Sequence, residues 1–159
     1  NIALFIFASW SYLRNDKKYM QPLNFPSYTF RTRRVERGIE IWDNIRKKWL
    51  LLTPEEWVRQ HVIGFLLKTK LCNPGLLAIE KSLNYQGLTK RWDILVYNTD
   101  GLAELLIECK RTNVACSKEN LVQLSAYQHV VNAKKIALTN GLDCFVLGEN
   151  TWNNGIDFL

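Results

Sequence analysis

The sequence predicts a mixed α/β domain with a central sheet flanked by helices, and three stretches carry that prediction. Thr53-Pro54-Glu55-Glu56 opens an apolar helical period that runs to about residue 70. Three strand-like runs follow between residues 76 and 110, separated by turn residues. A capped helix over 117–132 then leads into two short apolar runs, so the order is helix, three-strand meander, helix, two strands.

Taken in order, the chain starts at Asn1 rather than Met, and 2–10 is an apolar run. That run is about half the ~20 residues a membrane span needs, and no basic residues precede it as they would in a signal peptide. Met20 reads like a natural start, so 1–19 is expected to be an extension outside the domain; the tail end of a membrane anchor is the alternative. Residues 20–52 read as a basic N-terminal arm and short helix. Pro22 and Pro26 keep its first part extended, with one short strand around 28–32. Ile39, Trp42 and Ile45 lie three apart and predict a short helical stretch over 39–47. Residues 49–52 form a short strand or an apolar approach to the next helix.

The core is expected over 53–159. Thr53 can cap a helix, Pro54 suits its first position, and Glu56 completes a capping box. Trp57, Val58, His61, Val62, Phe65 and Leu66 recur at helical spacing, and Asn73-Pro74-Gly75 breaks the chain. Strands are predicted over 76–83, 89–97 and 102–110, with a hairpin turn at Asn98-Thr99-Asp100-Gly101. Ser117 caps the second helix, and 135–139 and 144–147 are two further strands joined by Asn140-Gly141.

Composition narrows the class. At 159 residues, 47% hydrophobic and 23% charged, the chain suits one globular domain and argues against disorder or a fibrous repeat. It is too short to combine a second domain with an ATP-driven motor and has no P-loop pattern. The net charge of +6 is uneven: residues 1–53 hold ten Lys/Arg against four acids, whereas 54–159 hold eleven of each. A basic front suits nucleic acid or an anionic surface, or simply solubility. Cys72, Cys109, Cys116 and Cys144 include no CxxC pair, and His61 and His129 have no metal-ligand company. A reduced, cytoplasmic protein follows.

The residues that suggest chemistry are Asp93, Glu108 and Lys110. Glu108 and Lys110 are two apart on one strand, hence on one face, while Cys109 points into apolar packing. The hairpin turn brings that strand back beside Asp93. Two carboxylates at strand ends are hard oxygen ligands for Mg²⁺ or Mn²⁺. Such a metal polarises a phosphodiester and acidifies a bound water, and a neighbouring lysine orients that water or offsets charge on the phosphate. Ordinary same-face strand charges are the plainer reading. It is weakened because Leu105-Leu106-Ile107 runs straight into the charges, which are costly at the end of a buried strand unless paired or metal-bound. Gln123 and Tyr127 lie four apart on the second predicted helix, either as a polar rim or as part of the site.

Arg91-Trp92-Asp93-Ile94-Leu95-Val96-Tyr97, Leu106-Ile107-Glu108-Cys109-Lys110, Gln123-x-x-x-Tyr127 and Leu138-Thr139-Asn140-Gly141 together resemble the nuclease domain at the N-terminus of type I restriction enzyme R subunits, within the PD-(D/E)xK nuclease superfamily. Thr53-Pro54-Glu55-Glu56-Trp57-Val58-Arg59-Gln60 resembles the first helix of small stand-alone members. The resemblance covers roughly residues 20–159. It implies a restriction-endonuclease-like sheet of α-β-β-β-α-β order and a divalent-metal-dependent DNA endonuclease-like activity. It also implies metal ligation by Asp93, Glu108 and the backbone carbonyl of Cys109, with Lys110 acting on the attacking water. Glu56 matches an additional acidic residue near the metals, in competition with its capping-box role. Gln123 and Tyr127 match a supporting or DNA-touching element, and Arg59 and Gln60 match the pattern in roles not separable from helix packing. DNA is the implied partner, with restriction-modification subunits or a second copy of the chain, and no membrane. Trp92 departs from the small residue common before the metal-binding Asp, which narrows the site. The alternative is a nuclease fold without activity that binds DNA or serves assembly.

Overall fold

The computed structural model describes residues 20–85, 88–148 and 152–155. The extension expected over 1–19 lies outside the described residues. The arm that follows is not an extended strap with a helix. β1 (Thr32–Val35), β2 (Gly38–Asp43) and β3 (Lys48–Leu51) form an antiparallel sheet in that order.

The helix expected over 39–47 is therefore corrected to strand β2 and the turn after it, and the strand expected over 28–32 is corrected to β1, which begins only at Thr32. Ile39, Trp42 and Ile45 fit a period of three, but the packing follows a period of two. Ile39 and Ile41 are buried with Leu52 against Phe30 and Trp57, whereas Trp42 pairs across the strands with Trp49 on the opposite face. In so short a run the two periods are not separable from sequence. Gly38 begins β2 at φ +136°, a conformation that L side chains rarely adopt.

α1 (Pro54–Lys68) starts as expected: the Glu56 backbone N–H donates to Thr53 Oγ1 at 3.1 Å, a cap worth about 1 kcal/mol. Next come a single 3₁₀ turn at Pro74–Leu76, β4 (Leu77–Ile79), β5 (Ser82–Tyr85), β6 (Leu88–Arg91), β7 (Ile94–Tyr97) and β8 (Ala103–Cys109). α2 (Lys118–Val131), β9 (Lys135–Thr139), β10 (Cys144–Leu147) and β11 (Trp152–Asn154) complete the described chain. Ser117 caps α2, its Oγ accepting from the Asn120 backbone N–H. β11 was not expected; its three residues carry two asparagines and little strand signal.

The main sheet runs β11-β10-β9-β8-β7-β4. β8 and β9 are parallel and joined through α2, while the other neighbours are antiparallel. The fold is thus mixed α/β, as the sequence predicts. Alternation along the strands fills both faces. Ile94, Val96, Leu105, Ile107 and Cys109 pack with Val58, Val62, Ile63 and Leu66 of α1. Leu95, Leu106, Ile136 and Leu138 pack with Leu121 and Leu124 of α2.

Two of the predicted strands are each broken in two, and the breaks coincide. Ile79 pairs with Ile94 and Ser82 with Arg91 in one continuous register. β4–β5 and β6–β7 are therefore one long hairpin interrupted at 80–81 and 92–93. Glu80 adopts φ +48° there, and its backbone N–H donates to the Asp93 carbonyl at 2.8 Å. The inner half of the hairpin joins the main sheet; the outer half, β5–β6, forms a two-stranded ribbon. The interruption is where Glu80 and Asp93 stand.

Candidate metal and active site

The antiparallel register of β7 and β8 pairs Ile94 with Ile107, and one further step sets Asp93 across from Glu108. Asp93 is held by the backbone at that point: the Cys109 N–H donates to its Oδ2 at 2.7 Å. Cys109 buries its side chain in the core under α1, so Glu108 and Lys110 take the other side of the strand. Lys110 Nζ donates to Glu108 Oε1 at 2.7 Å. Glu108 and Lys110 are partly open, at 25% and 35% side-chain exposure, while Asp93 is at 8%. The three residues singled out in the sequence meet at one end of the sheet.

The first helix enters from one side. Arg59 Nη2 donates to Asp93 Oδ1 at 2.6 Å and to Glu55 Oε1 at 3.2 Å, and Arg59 Nη1 pairs with Glu56 Oε2. Glu56 Oε1 accepts from Arg46 Nη2 at 2.5 Å and from Gln60 Nε2 at 2.9 Å. The competition over Glu56 resolves in part: its backbone N–H is capped by Thr53, while its carboxylate is committed to Arg46, Arg59 and Gln60. Arg59 thus touches Asp93 directly, whereas Gln60 reaches only Glu56 and Asp43.

Sequence reasoning missed Asp43, Arg46 and Glu80. Arg46 reads as one more phosphate-seeking cation in the run Arg46-Lys47-Lys48, yet its side chain is only 9% exposed whereas Lys47 and Lys48 are exposed. The signal lay three residues earlier. Asp43 Oδ1 accepts from the backbone N–H groups of Ile45 and Arg46 at 2.7 and 2.6 Å, an Asx turn that aims the arginine inward. Arg46 then donates to Asp43 Oδ2 at 2.7 Å and pairs with Glu80 Oε2. Glu80, in the strand interruption, offered no sequence signal.

This network is short of positive charge. Among the described residues, Asp43, Glu55, Glu56, Glu80, Asp93 and Glu108 are matched by Arg46, Arg59, Arg91 and Lys110, leaving two carboxylates in excess. Glu108 shows the strain. Burial and the nearby Asp93 charge raise its pKa above the ordinary glutamate value, despite the Lys110 ammonium. For Lys110, burial works to lower the pKa, but the Glu108 carboxylate outweighs it and the ammonium is reinforced. Burial likewise opposes the Arg59 charge, and Asp93 with Glu56 more than restores it. For Asp43, burial pushes the pKa up, but the Arg46 and Gln60 hydrogen bonds hold it below the usual aspartate value. Two donors next to this network, Arg59 Nε and Trp92 Nε1, are buried without a hydrogen-bond partner.

Among the described residues, no three His, Cys, Asp or Glu side chains gather on one metal position. The donor chemistry at Asp93 and Glu108 nevertheless suits a hard cation. Mg²⁺ takes one or two carboxylates and completes its shell with water and phosphate oxygens, and a carboxylate oxygen that accepts one hydrogen bond keeps a second lone pair. Gln123 and Tyr127 both fall on α2, as expected, and their side chains lie outside the described part. His61 is a packing residue, set among Phe30, Trp57 and Tyr28, and the side chain of His129 also lies outside the described part. The four cysteines are free thiols. An open cleft of about 330 Å³, lined by Tyr97, Leu102, Val131 and Lys134 among others, lies at the opposite end of β8 and has no carboxylate in its wall. Among the described residues no helix is long and apolar enough to cross a membrane.

The family model for the N terminus of the type I restriction enzyme R protein (HSDR_N) matches residues 54–159, about two-thirds of the chain. The chain belongs to this family. No curated protein and no solved structure matches it. The part shared with the R-protein N terminus begins at the first residue of α1 and takes in Glu56, Arg59, Gln60, Asp93, Glu108, Lys110, Gln123 and Tyr127. The β1–β3 sheet, with Asp43 and Arg46, lies ahead of it.

Proposed function

We propose that the protein is a divalent-metal-dependent DNA endonuclease-like phosphodiesterase with the restriction-endonuclease-like arrangement of the PD-(D/E)xK superfamily. The observation that carries this reading is the meeting of Asp93, Glu108 and Lys110 at one end of the sheet, in a network with two carboxylates in excess. Membership of the R-protein N-terminal family supports nuclease chemistry and DNA as substrate, with restriction-modification subunits or a second copy as partners.

Asp93, Glu108 and the Cys109 carbonyl would hold Mg²⁺ or Mn²⁺, which supplies Lewis acidity toward a phosphodiester and a more acidic bound water. The chain's own groups do the rest. The Cys109 N–H and Arg59 fix the Asp93 carboxylate, so little reorganisation is needed there. Lys110, tethered to Glu108 and firmly cationic, sits at the partly open edge where it can orient a water and offset charge growing on phosphate oxygens. Glu56, Arg46 and Gln60 hold Arg59 from behind and act as positioning residues. Gln123 and Tyr127 on α2 remain assigned to support of the site or to DNA contact.

The test is a cleavage assay on duplex and single-stranded DNA with Mg²⁺, Mn²⁺ and EDTA. Wild type is expected to cut only with metal, and Asp93→Ala and Lys110→Ala to lose cutting. Wild-type protein that binds no divalent ion and leaves every substrate intact would sink the reading. A second reading, an inactive nuclease fold used for DNA binding or assembly, is favoured by one observation: both Asp93 oxygens already accept internal hydrogen bonds. It predicts function that tolerates Asp93→Asn.

A further inference from the structure

The β1–β3 sheet presents two unlike faces. One buries Ile39 and Ile41 with Leu52 against Phe30 and Trp57. Alternation puts Arg31, Arg33, Glu40, Trp42 and Trp49 on the other. Arg33 lies opposite Glu40, Trp42 lies opposite Trp49, and the register carried back one step places Arg31 opposite Trp42, whose N–H donates to the Arg31 carbonyl at 2.9 Å.

This second face is a built array of guanidiniums. The Arg31 guanidinium lies 5.2 Å from the Trp42 ring centre and 5.7 Å from that of Trp49, and Arg33 lies 4.4 Å from Trp49. The two indoles brace each other edge-on at 5.4 Å. Glu40, almost fully buried, accepts from Arg33 with one oxygen and from Arg37 with the other, both at 2.7 Å. Arg33 and Arg37 remain 50% and 70% exposed. Three cations are thus fixed in direction while open to solvent. Fixing them beforehand lowers the ordering cost that flexible surface arginines pay on binding an anion.

The charge distribution names the occupant. Residues 20–53 carry seven Lys/Arg against three acids, and 54–159 are balanced, so the net positive charge of residues 20–159 resides in this sheet and its flanks. Arg46 is spent inside the site, which leaves the outer arginines to meet a polyanion. The guanidiniums already cover the indole rings, so the face offers charge-assisted donors and no open ring for a base. That pattern suits phosphate oxygens read without regard to sequence.

We infer that the Arg31–Arg33–Arg37 face of the β1–β3 sheet binds the phosphate backbone of duplex DNA, outside the segment shared with the R-protein family and apart from the metal site. The inference rests on the DNA-directed reading above for its partner, and on the sheet alone for its location.

The test is equilibrium binding of a fluorescein-labelled duplex to the whole chain, by anisotropy, in EDTA and over a salt series. Arg31→Gln/Arg33→Gln is expected to weaken binding at every salt concentration. The slope of log K against log salt should fall by about 1.8, from two phosphate contacts at about 0.9 each. Arg37→Gln, exposed and off the indole stack, should lower it by about 0.9, and it serves as the measure if the double variant does not fold. An unchanged slope in the folded Arg31→Gln/Arg33→Gln or Arg37→Gln variants overturns the inference, as does tighter binding to a single strand than to the duplex. Wild type that cuts DNA but loses no binding in these variants rejects the face and leaves the nuclease reading standing. Binding through the face without any cutting does the reverse.

Discussion

Arg59 and Asp93, 34 residues apart in sequence, meet through a 2.6 Å hydrogen bond from Nη2 to Oδ1, with both side chains less than a tenth exposed. The contact ties the helix that opens the family-matched segment to the strand interruption that carries the first of the proposed metal ligands. Asp93 is therefore both a candidate ligand and a structural anion, and its substitutions separate the two roles. Asp93→Ala removes the acceptor for Arg59 and for the buried Cys109 N–H. Breaking one side of a buried pair costs about 3–5 kcal/mol, readable as a lowered urea midpoint. Asp93→Asn keeps one oxygen acceptor and should cost less than half as much, yet it should abolish metal-dependent cleavage equally. Equal stability loss in both variants would mean that the carboxylate charge, not the hydrogen bonds, holds the strand end.

Arg46 should be as costly to remove as any core side chain. It serves Asp43, Glu56 and Glu80 together, so Arg46→Ala leaves three carboxylates without their shared cation and is expected to lose about 3–5 kcal/mol. Adding Glu80→Gln should recover part of that loss, because it withdraws one of the orphaned charges. A double-mutant cycle in urea reads the coupling; strict additivity would argue that Arg46 and Glu80 do not share a network.

His61 gives the protein an acid sensitivity apart from the site. Burial lowers its pKa below the ordinary 6.5, although its hydrogen bond to the Trp57 carbonyl pulls the other way. Because the folded pKa is below the unfolded one, the neutral ring contributes stability that is fully present above pH about 6.5. That stability is lost as the pH falls toward the folded pKa, since the unfolded chain takes up the proton first. The melting temperature should fall between pH 7 and 5, and His61→Phe, which suits the aromatic surroundings, should flatten that part of the profile. An identical slope in the variant would assign the effect elsewhere.

Gly64 sits in the middle of α1, where alanine would ordinarily add about 1 kcal/mol. Here a Cβ would stand 2.9 Å from the Tyr28 ring, which is anchored by a 3.0 Å hydrogen bond to Thr69. Gly64→Ala is expected to destabilise by about 1–3 kcal/mol. In a Tyr28→Ala background the sign should reverse. Thermal melts of the four proteins decide it, and a stabilising Gly64→Ala in the otherwise wild-type chain would show that the ring gives way.

How much was legible follows from where the information sits. Thr53, Ser117 and the 98–101 turn announce themselves locally, because a cap or a tight turn is a property of a few neighbouring residues; Asn98 Oδ1 indeed accepts from the backbone N–H groups of Asp100 and Leu102. The pairing of Glu108 with Lys110 was readable because strand alternation fixes which face a side chain takes. The β1–β3 sheet was not, since Ile39, Trp42 and Ile45 satisfy a helical period while the burial of Ile41 is decided by Phe30 and Trp57 from other elements. The breaks at Glu80 and Trp92 were illegible for the same reason: each run is continuous in hydropathy, and only its partner strand shows that both bend together. Arg46 was legible as a cation but not as a buried one, because its acceptors come from three separate segments.

The Arg46 contacts also cross the border of the family likeness. The family likeness starts at Pro54, yet the carboxylate of Glu56, two residues on, is held from a turn that lies before it. A polypeptide trimmed to the shared segment would keep every proposed metal ligand and lose the guanidinium that balances Glu56 and Glu80, along with Asp43, which orients Gln60 from the far side. The contacts that hold the Glu56 carboxylate in place thus reach further toward the N-terminus than the family likeness does.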